Sequence, residues 1–242
     1  SGQAIESNTT DAEANESSSM TSIDSDGFSL AGAAGAWNES PYSYVAWNWL
    51  AGNGTSSNID GTIASTVSAN EKAGFSIVGF DLEATGSKTV GHGLGVAPKM
   101  VVVKKRTASG ASPAAWLVYH ASVAADAETD YLMLHSTAAA ADEVSVWDDT
   151  APTSTVFTVG SGFTTANYGT SQIAYCFAEV EGYSKFGSYT GNGSTDGTFV
   201  HCGFRPAWVM VKRTDAPDSW VIYDGERDLD NPVELMLFPD LS

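Results

Sequence analysis

The sequence predicts an all-β fold: antiparallel β-sandwich units, jelly-roll or Greek-key-like, arranged as repeats. Short apolar runs rich in Val, Ile, Thr and aromatic residues recur along the chain, each bounded by turn residues. Glycine is abundant, 24 of 242 residues, among many Ser, Thr and Ala, which suits many short strands joined by turns. One stretch of sequence also occurs twice, the mark of a repeat architecture.

The duplicated stretch joins Gly95-Val96-Ala97-Pro98-Lys99-Met100-Val101-Val102-Val103-Lys104-Lys105 to Gly203-Phe204-Arg205-Pro206-Ala207-Trp208-Val209-Met210-Val211-Lys212-Arg213, at an offset of 108. Downstream, Trp116-Leu117-Val118-Tyr119 matches Trp220-Val221-Ile222-Tyr223 at 104, and Leu132-Met133-Leu134 matches Leu235-Met236-Leu237 at 103. The drift is that of loop deletions. A second set runs from the start of the chain to its middle: Ser7 with Ser136 and Phe28 with Phe157 at 129, and Val45-Ala46-Trp47 with Ile173-Ala174-Tyr175 at 128. The chain therefore reads as half, whole, half. Residues 1–50 are the back half of a unit, 51–73 a Gly/Ser/Asn-rich linker and the strand leading in, 74–182 a complete unit, and 183–242 the front half of another. The terminal halves are expected to be completed by chain outside this sequence or by neighbouring subunits. The opening Ser1-Gly2, in place of Met, fits a fragment of a longer protein or a processed product.

Within the complete unit, strands are predicted over 75–80, 100–103, 116–119, 131–134, 144–147, 155–159 and 172–177. The Ala-rich stretches 121–125 and 138–141 have room for one helical turn each, not for an amphipathic helix.

Charge narrows the partners. The net charge is −18, and Lys72 is the first basic residue, so residues 1–71 carry only acidic charge. Such a chain repels a phosphate backbone, and nucleic acid is not expected as a partner. No apolar run reaches the roughly 18 to 20 residues of a membrane-spanning helix, so membrane insertion is not expected. Cys176 and Cys202 lack zinc or redox spacing and are expected as free, largely buried thiols.

Four strings resemble a β-domain found in tandem in tail-fibre and other virion structural proteins of marine bacteriophages, including those of cyanobacteria. They are Tyr44-Val45-Ala46-Trp47-Asn48-Trp49, Gly91-His92-Gly93-Leu94-Gly95-Val96-Ala97-Pro98-Lys99, Ala174-Tyr175-Cys176-Phe177-Ala178-Glu179-Val180-Glu181-Gly182 and Lys185-Phe186-Gly187-Ser188-Tyr189-Thr190-Gly191-Asn192-Gly193. The resemblance spans nearly the whole chain. It implies a structural or adhesive role on the virion surface, outside the cell, in a homo-oligomer (a trimer if the protein is a fibre) alongside other virion proteins. It supplies no catalytic or binding residues.

The residues themselves point away from catalysis. His92, His120, His135 and His201 show no metal-helix spacing, and no nucleophile elbow, P-loop, HExxH or EF-hand pattern occurs. No enzyme activity and no cofactor are expected, and a polysaccharide-degrading enzyme ranks last among the readings. Asp24-Ser25-Asp26-Gly27 and Asp148-Asp149 could offer oxygen ligands to Ca²⁺ or Mg²⁺, although solvated turns account for them better. Of the seven tryptophans, Trp116 and Trp220 recur at matching positions and read as core, whereas Trp37, in the loop-like stretch 33–41, is the candidate for stacking on a host surface glycan in a lectin-like alternative. Lys104, Lys105, Arg106, Lys212 and Arg213 concentrate basic charge at matching strand ends. They are the interface candidates, expected to meet the acidic back half of a neighbouring unit.

Overall fold

The computed structural model describes residues 3–15, 20–31, 37–107 and 114–241. Residues 33–36, the first part of the loop expected over 33–41, lie outside the described residues. In chain order the strands are β1 (Gln3–Ala4), β2 (Ala14–Asn15), β3 (Met20–Ile23), β4 (Phe28–Leu30), β5 (Ser56–Asn58), β6 (Ser65–Asn70), β7 (Phe75–Leu82), β8 (Lys88–Gly91), β9 (Met100–Lys105), β10 (Trp116–His120), β11 (Asp130–Met133) and β12 (Ala141–Asp142). The short helix α1 (Val144–Trp147) follows, then β13 (Val156–Val159), α2 (Ser161–Ala166), β14 (Thr170–Phe177), β15 (Trp208–Val211) and β16 (Val221–Asp224).

The fold is an all-β antiparallel sandwich. Its main layer is an eight-stranded sheet in the order β12-β11-β10-β9-β14-β7-β6-β5. Strands β9, β10 and β11 follow one another as hairpins, and β14 returns after a long connection to lie beside β9. The spatial order β14-β9-β10-β11 is that of a Greek key. The expected linker contributes β5 and β6, which extend the sheet at its edge.

Strand periodicity divides the side chains between the two faces. One face presents Val78, Phe80 and Leu82 of β7, Val101 and Val103 of β9, and Ala174 and Cys176 of β14. The β8–β13 ribbon closes over it with Val90, Phe157 and Val159, and α1 and α2 add Val146, Trp147 and Phe163. At the end of this layer Gly74, at φ 64°, accepts a hydrogen bond from the Ala178 N–H, and a Cβ there would lie 2.5 Å from the Ala178 carbonyl oxygen. Only glycine combines that backbone conformation with that approach.

Residues 144–147, expected as a strand, form α1 instead. Adjacent Val146 and Trp147 are both buried in one core, which a strand, with its alternating faces, cannot arrange. Glu143 caps the turn by accepting from the Ser145 N–H, and Asp148 ends it in the left-handed region at φ 59°. The Ala-rich stretches do not form helices: 121–125 is a turn after β10, and 138–141 leads into β12.

Candidate functional site

The opposite face of the sheet is where residues 1–50 and 183–242, the segments expected as terminal halves, meet residues 74–182. Its buried residues are Val102, Trp116, Val118, Leu132 and Trp220, with Ile5, Met100, Tyr175 and Met210 packed against them. Ile5 comes from the N-terminal half, and Met210 and Trp220 come from the C-terminal half. Trp116 stacks on Tyr175 at 6.3 Å with 20° between the rings. Burial raises the Tyr175 phenol above its ordinary value, so the ring stays neutral in this contact.

Strand pairings in both terminal segments repeat pairings of the middle segment at equivalent registers. β15 pairs with β16 so that Trp208 faces Asp224, and β9 pairs with β10 so that Met100 faces His120, the equivalent register. β1 pairs with β2 through Gln3–Asn15 and Ala4–Ala14, as β11 pairs with β12 through Asp130–Asp142 and Tyr131–Ala141. That equivalence lies at an offset of 127, two residues from the offset that pairs Ser7 with Ser136.

Three hydrogen bonds across the junction occur twice at equivalent places. The Trp116 indole donates to the Glu6 carbonyl, and the Trp220 indole to the Met133 carbonyl, each at 2.9 Å. The Ala114 N–H donates to the Thr10 carbonyl at 3.2 Å, and Asp218 N–H to Thr137 at 2.8 Å. The Glu13 N–H donates to the Arg106 carbonyl at 2.9 Å, and Ala140 N–H to Thr214 at 2.9 Å. The acceptors Glu6 and Thr10 and the donor Glu13 all map onto their counterparts at the single offset of 127. Buried main-chain and indole groups must be paired, so each bond fixes the docking geometry as well as adding to it.

The interface candidates fall around this junction with differing roles. Arg106 forms a bidentate ion pair with Glu13, at 2.7 and 3.0 Å. Lys104 is fully buried; its ammonium donates to the Ala114 carbonyl and stands 5.5 Å from the centre of the Trp116 ring. Burial lowers its pKa to about 8, with Asp11 opposing the shift and Lys105 adding to it. Lys105 is also buried, which lowers its pKa. Lys212 donates to the Thr137 carbonyl at 3.2 Å and the Arg213 carbonyl at 2.7 Å. Arg213 turns to Asp215 at 2.8 Å on the exposed surface, a contact within its own half.

Glu6, Thr10, Asp11 and Glu13 were not singled out in the sequence. Their signal was the uniformly acidic stretch 1–71, which marks the segment without marking the residues.

The remaining candidates do not converge. Trp37 is 38 % exposed and is not among the residues packed in the junction core. Asp24 accepts from the Ser22 and Ser29 hydroxyls within the β3–β4 turn, and Asp148 and Asp149 follow α1 in the left-handed region. Among the described residues, no group of three or more His, Cys, Asp or Glu is placed to hold a metal ion. His92 is fully buried, its Nε2 facing the Thr153 carbonyl and its Nδ1 accepting from the Leu94 N–H, and burial lowers its pKa. His135 Nδ1 accepts from the Trp116 N–H. Both cysteines are free; Cys176 is buried, which pushes its thiol up to about 12. No helix among the described residues is long and apolar enough to cross a membrane.

A family of domains of unknown function, DUF7483, matches residues 1–242. The chain belongs to the DUF7483 family. No curated protein and no solved structure matches it.

Proposed function

We propose that this DUF7483 chain is a structural, non-catalytic repeat module of a bacteriophage fibre or virion-surface protein, working outside the cell by unit-to-unit packing, self-assembly and display. One observation carries the reading: the same three-bond junction is built twice in one chain, from equivalent residues. A module that presents rigid β units needs a junction that holds one unit against the next in a fixed orientation, and the same three bonds made twice supply one. The sequence strings quoted above support the virion setting. Partners on this reading are further copies of the chain, as a homo-oligomer that is trimeric in a fibre, and other virion proteins.

Two experiments test it. Antibody labelling against this segment, imaged on intact particles, should decorate a fibre or the particle surface, and particles lacking the label throughout would reject the virion setting. Assembly is tested by light scattering on Arg106→Glu and Arg213→Glu, because Lys104 and Lys105 are buried and their reversal would disrupt the fold. Self-assembly unchanged in size and in salt sensitivity would reject a role for these basic strand ends.

A second reading is favoured by the exposure of Trp37 close in sequence to the exposed Tyr42 and Tyr44. Aromatic rings open to solvent are the surface on which a sugar stacks, so a lectin-like module for host glycan would use this stretch. Glycan-array binding that Trp37→Ala abolishes would support it over a purely structural role.

A further inference from the structure

We propose that the two terminal half-units are parts of a single unit: residues 43–50 are the missing central strand of the C-terminal half, and they dock along the open edge of β15 within the same chain.

The complete unit supplies the template. There β14 lies between β7 and β9, with Phe177 opposite both Phe75 and Met100. In the C-terminal half β15 pairs with β16, and among the described residues its other edge has no strand beside it. The sequence equivalent of β14 lies in the N-terminal half, where Val45-Ala46-Trp47 stands for Ile173-Ala174-Tyr175 and Trp49 for Phe177. Among the described residues 43–50 make no main-chain to main-chain hydrogen bond. A solvent-facing segment without main-chain partners and an open strand edge carry matching unmet bonding capacity.

The first rung of that pairing is already in contact. Trp49 stands 5.8 Å from Trp208, the residue equivalent to Met100, and 6.5 Å from Phe177. Phe186, the equivalent of Val78 at the offset of 108, lies 6.4 Å from Phe177 and 6.1 Å from His120, so the segment that enters the C-terminal half starts beside the same ring. The equivalents of Phe177 and Met100 thus meet, although they come from opposite ends of the chain. The Ser7 hydroxyl donates to the Pro239 carbonyl at 2.8 Å, a second tie between those ends. The Trp208 indole N–H is buried and has no partner among the described residues, and a strand beside β15 would bring main-chain carbonyls alongside it.

The junction favours the same arrangement. In an open array each unit would use one side for the unit before it and another for the unit after it, and Trp116 and Trp220 would sit in separate cores. They share one core. If the two ends form one unit, the complete unit donates through Trp116 and receives through Met133, which is the reciprocity of a twofold pair.

Carrying the β14–β9 register across sets Ala46 opposite Val211, Trp47 opposite Met210, Asn48 opposite Val209 and Trp49 opposite Trp208. The test uses the full chain with Cys202→Ser, so that buried Cys176 is the only native thiol left. Adding Asn48→Cys and Val209→Cys should give, on mild oxidation, a monomer that has lost two hydrogens in mass and runs as one chain on a non-reducing gel. The out-of-register pair Val45→Cys with Val209→Cys should stay reduced. Absence of the in-register link in a folded chain, an equal yield from the control, or links only between chains would each overturn the proposal. In the unmodified chain, amide exchange at 44–49 should be slowed relative to the free-peptide rate, and exchange at that rate would overturn it without any cysteine.

Discussion

Replacing Trp220 by Phe removes one indole N–H while keeping most of the ring in place. Trp220 is 4 % exposed, packs with Leu132 and Met210, and donates to the Met133 carbonyl at 2.9 Å. The lost bond and the unpaired carbonyl should cost about 1 to 3 kcal/mol. Trp220→Ala should cost about 3 to 5 kcal/mol, since the cavity is added. Trp116→Phe, which frees the Glu6 carbonyl, should match Trp220→Phe within about 1 kcal/mol, because the two bonds are equivalent in geometry. Because both rings share one core, the double variant should depart from additivity by at least about 0.5 kcal/mol. Urea unfolding followed by far-UV circular dichroism gives all four free energies without relying on tryptophan fluorescence. A neutral Phe variant, or two variants that add without coupling, would contradict a shared core held by these two indole bonds.

The buried ammonium of Lys104 makes stability depend on pH. Its folded pKa of about 8 lies below the ordinary 10.5 of the unfolded chain, so between those values the unfolded state holds more protons and stability rises with pH. By pH 9 the gain from this one group should be about 1.4 kcal/mol, and Lys104→Met should abolish that part of the rise in urea midpoints measured from pH 7 to 9. Arg106→Glu faces Glu13 with like charge; as the pair is partly exposed, the loss should be about 1 kcal/mol and should shrink in high salt. Limited proteolysis of the N-terminal half reads it, and an equal loss at low and high salt would exclude the ion pair as its cause. Cys176, fully buried and with its thiol pushed up to about 12, should react with a disulfide reagent only on unfolding, whereas Cys202 should react in the native chain. Two fast thiols would contradict the packing around β14.

Much of the fold was legible from alternation and repetition. The runs that became β7, β9, β10, β11, β13 and β14 stood out because each presents apolar side chains to a core at strand spacing. α1 did not stand out, because Val-Ser-Val-Trp alternates like a strand and only the core around Val146 and Trp147 demands both on one side. Likewise the Gly/Ser/Asn composition of 51–58 looked like a linker, and β5 forms there because a neighbouring edge, β6, was available to pair with. At the junction the basic strand ends were visible, but Lys104 and Arg106 carry the same charge and do different things. One is buried against Trp116, and the other meets Glu13 at the surface.

By itself the sequence determined the all-β class, the repeated strand templates and their offsets, because side-chain periodicity and self-similarity are local properties of the chain. Only the tertiary structure decided which equivalent segments face one another. Glu6 and Trp116 are 110 residues apart, and Ser7 and Pro239 are 232 apart. Such contacts depend on which hydrogen-bonding groups and apolar faces remain unsatisfied once every local strand has formed, a sum over the whole molecule that no single segment contains.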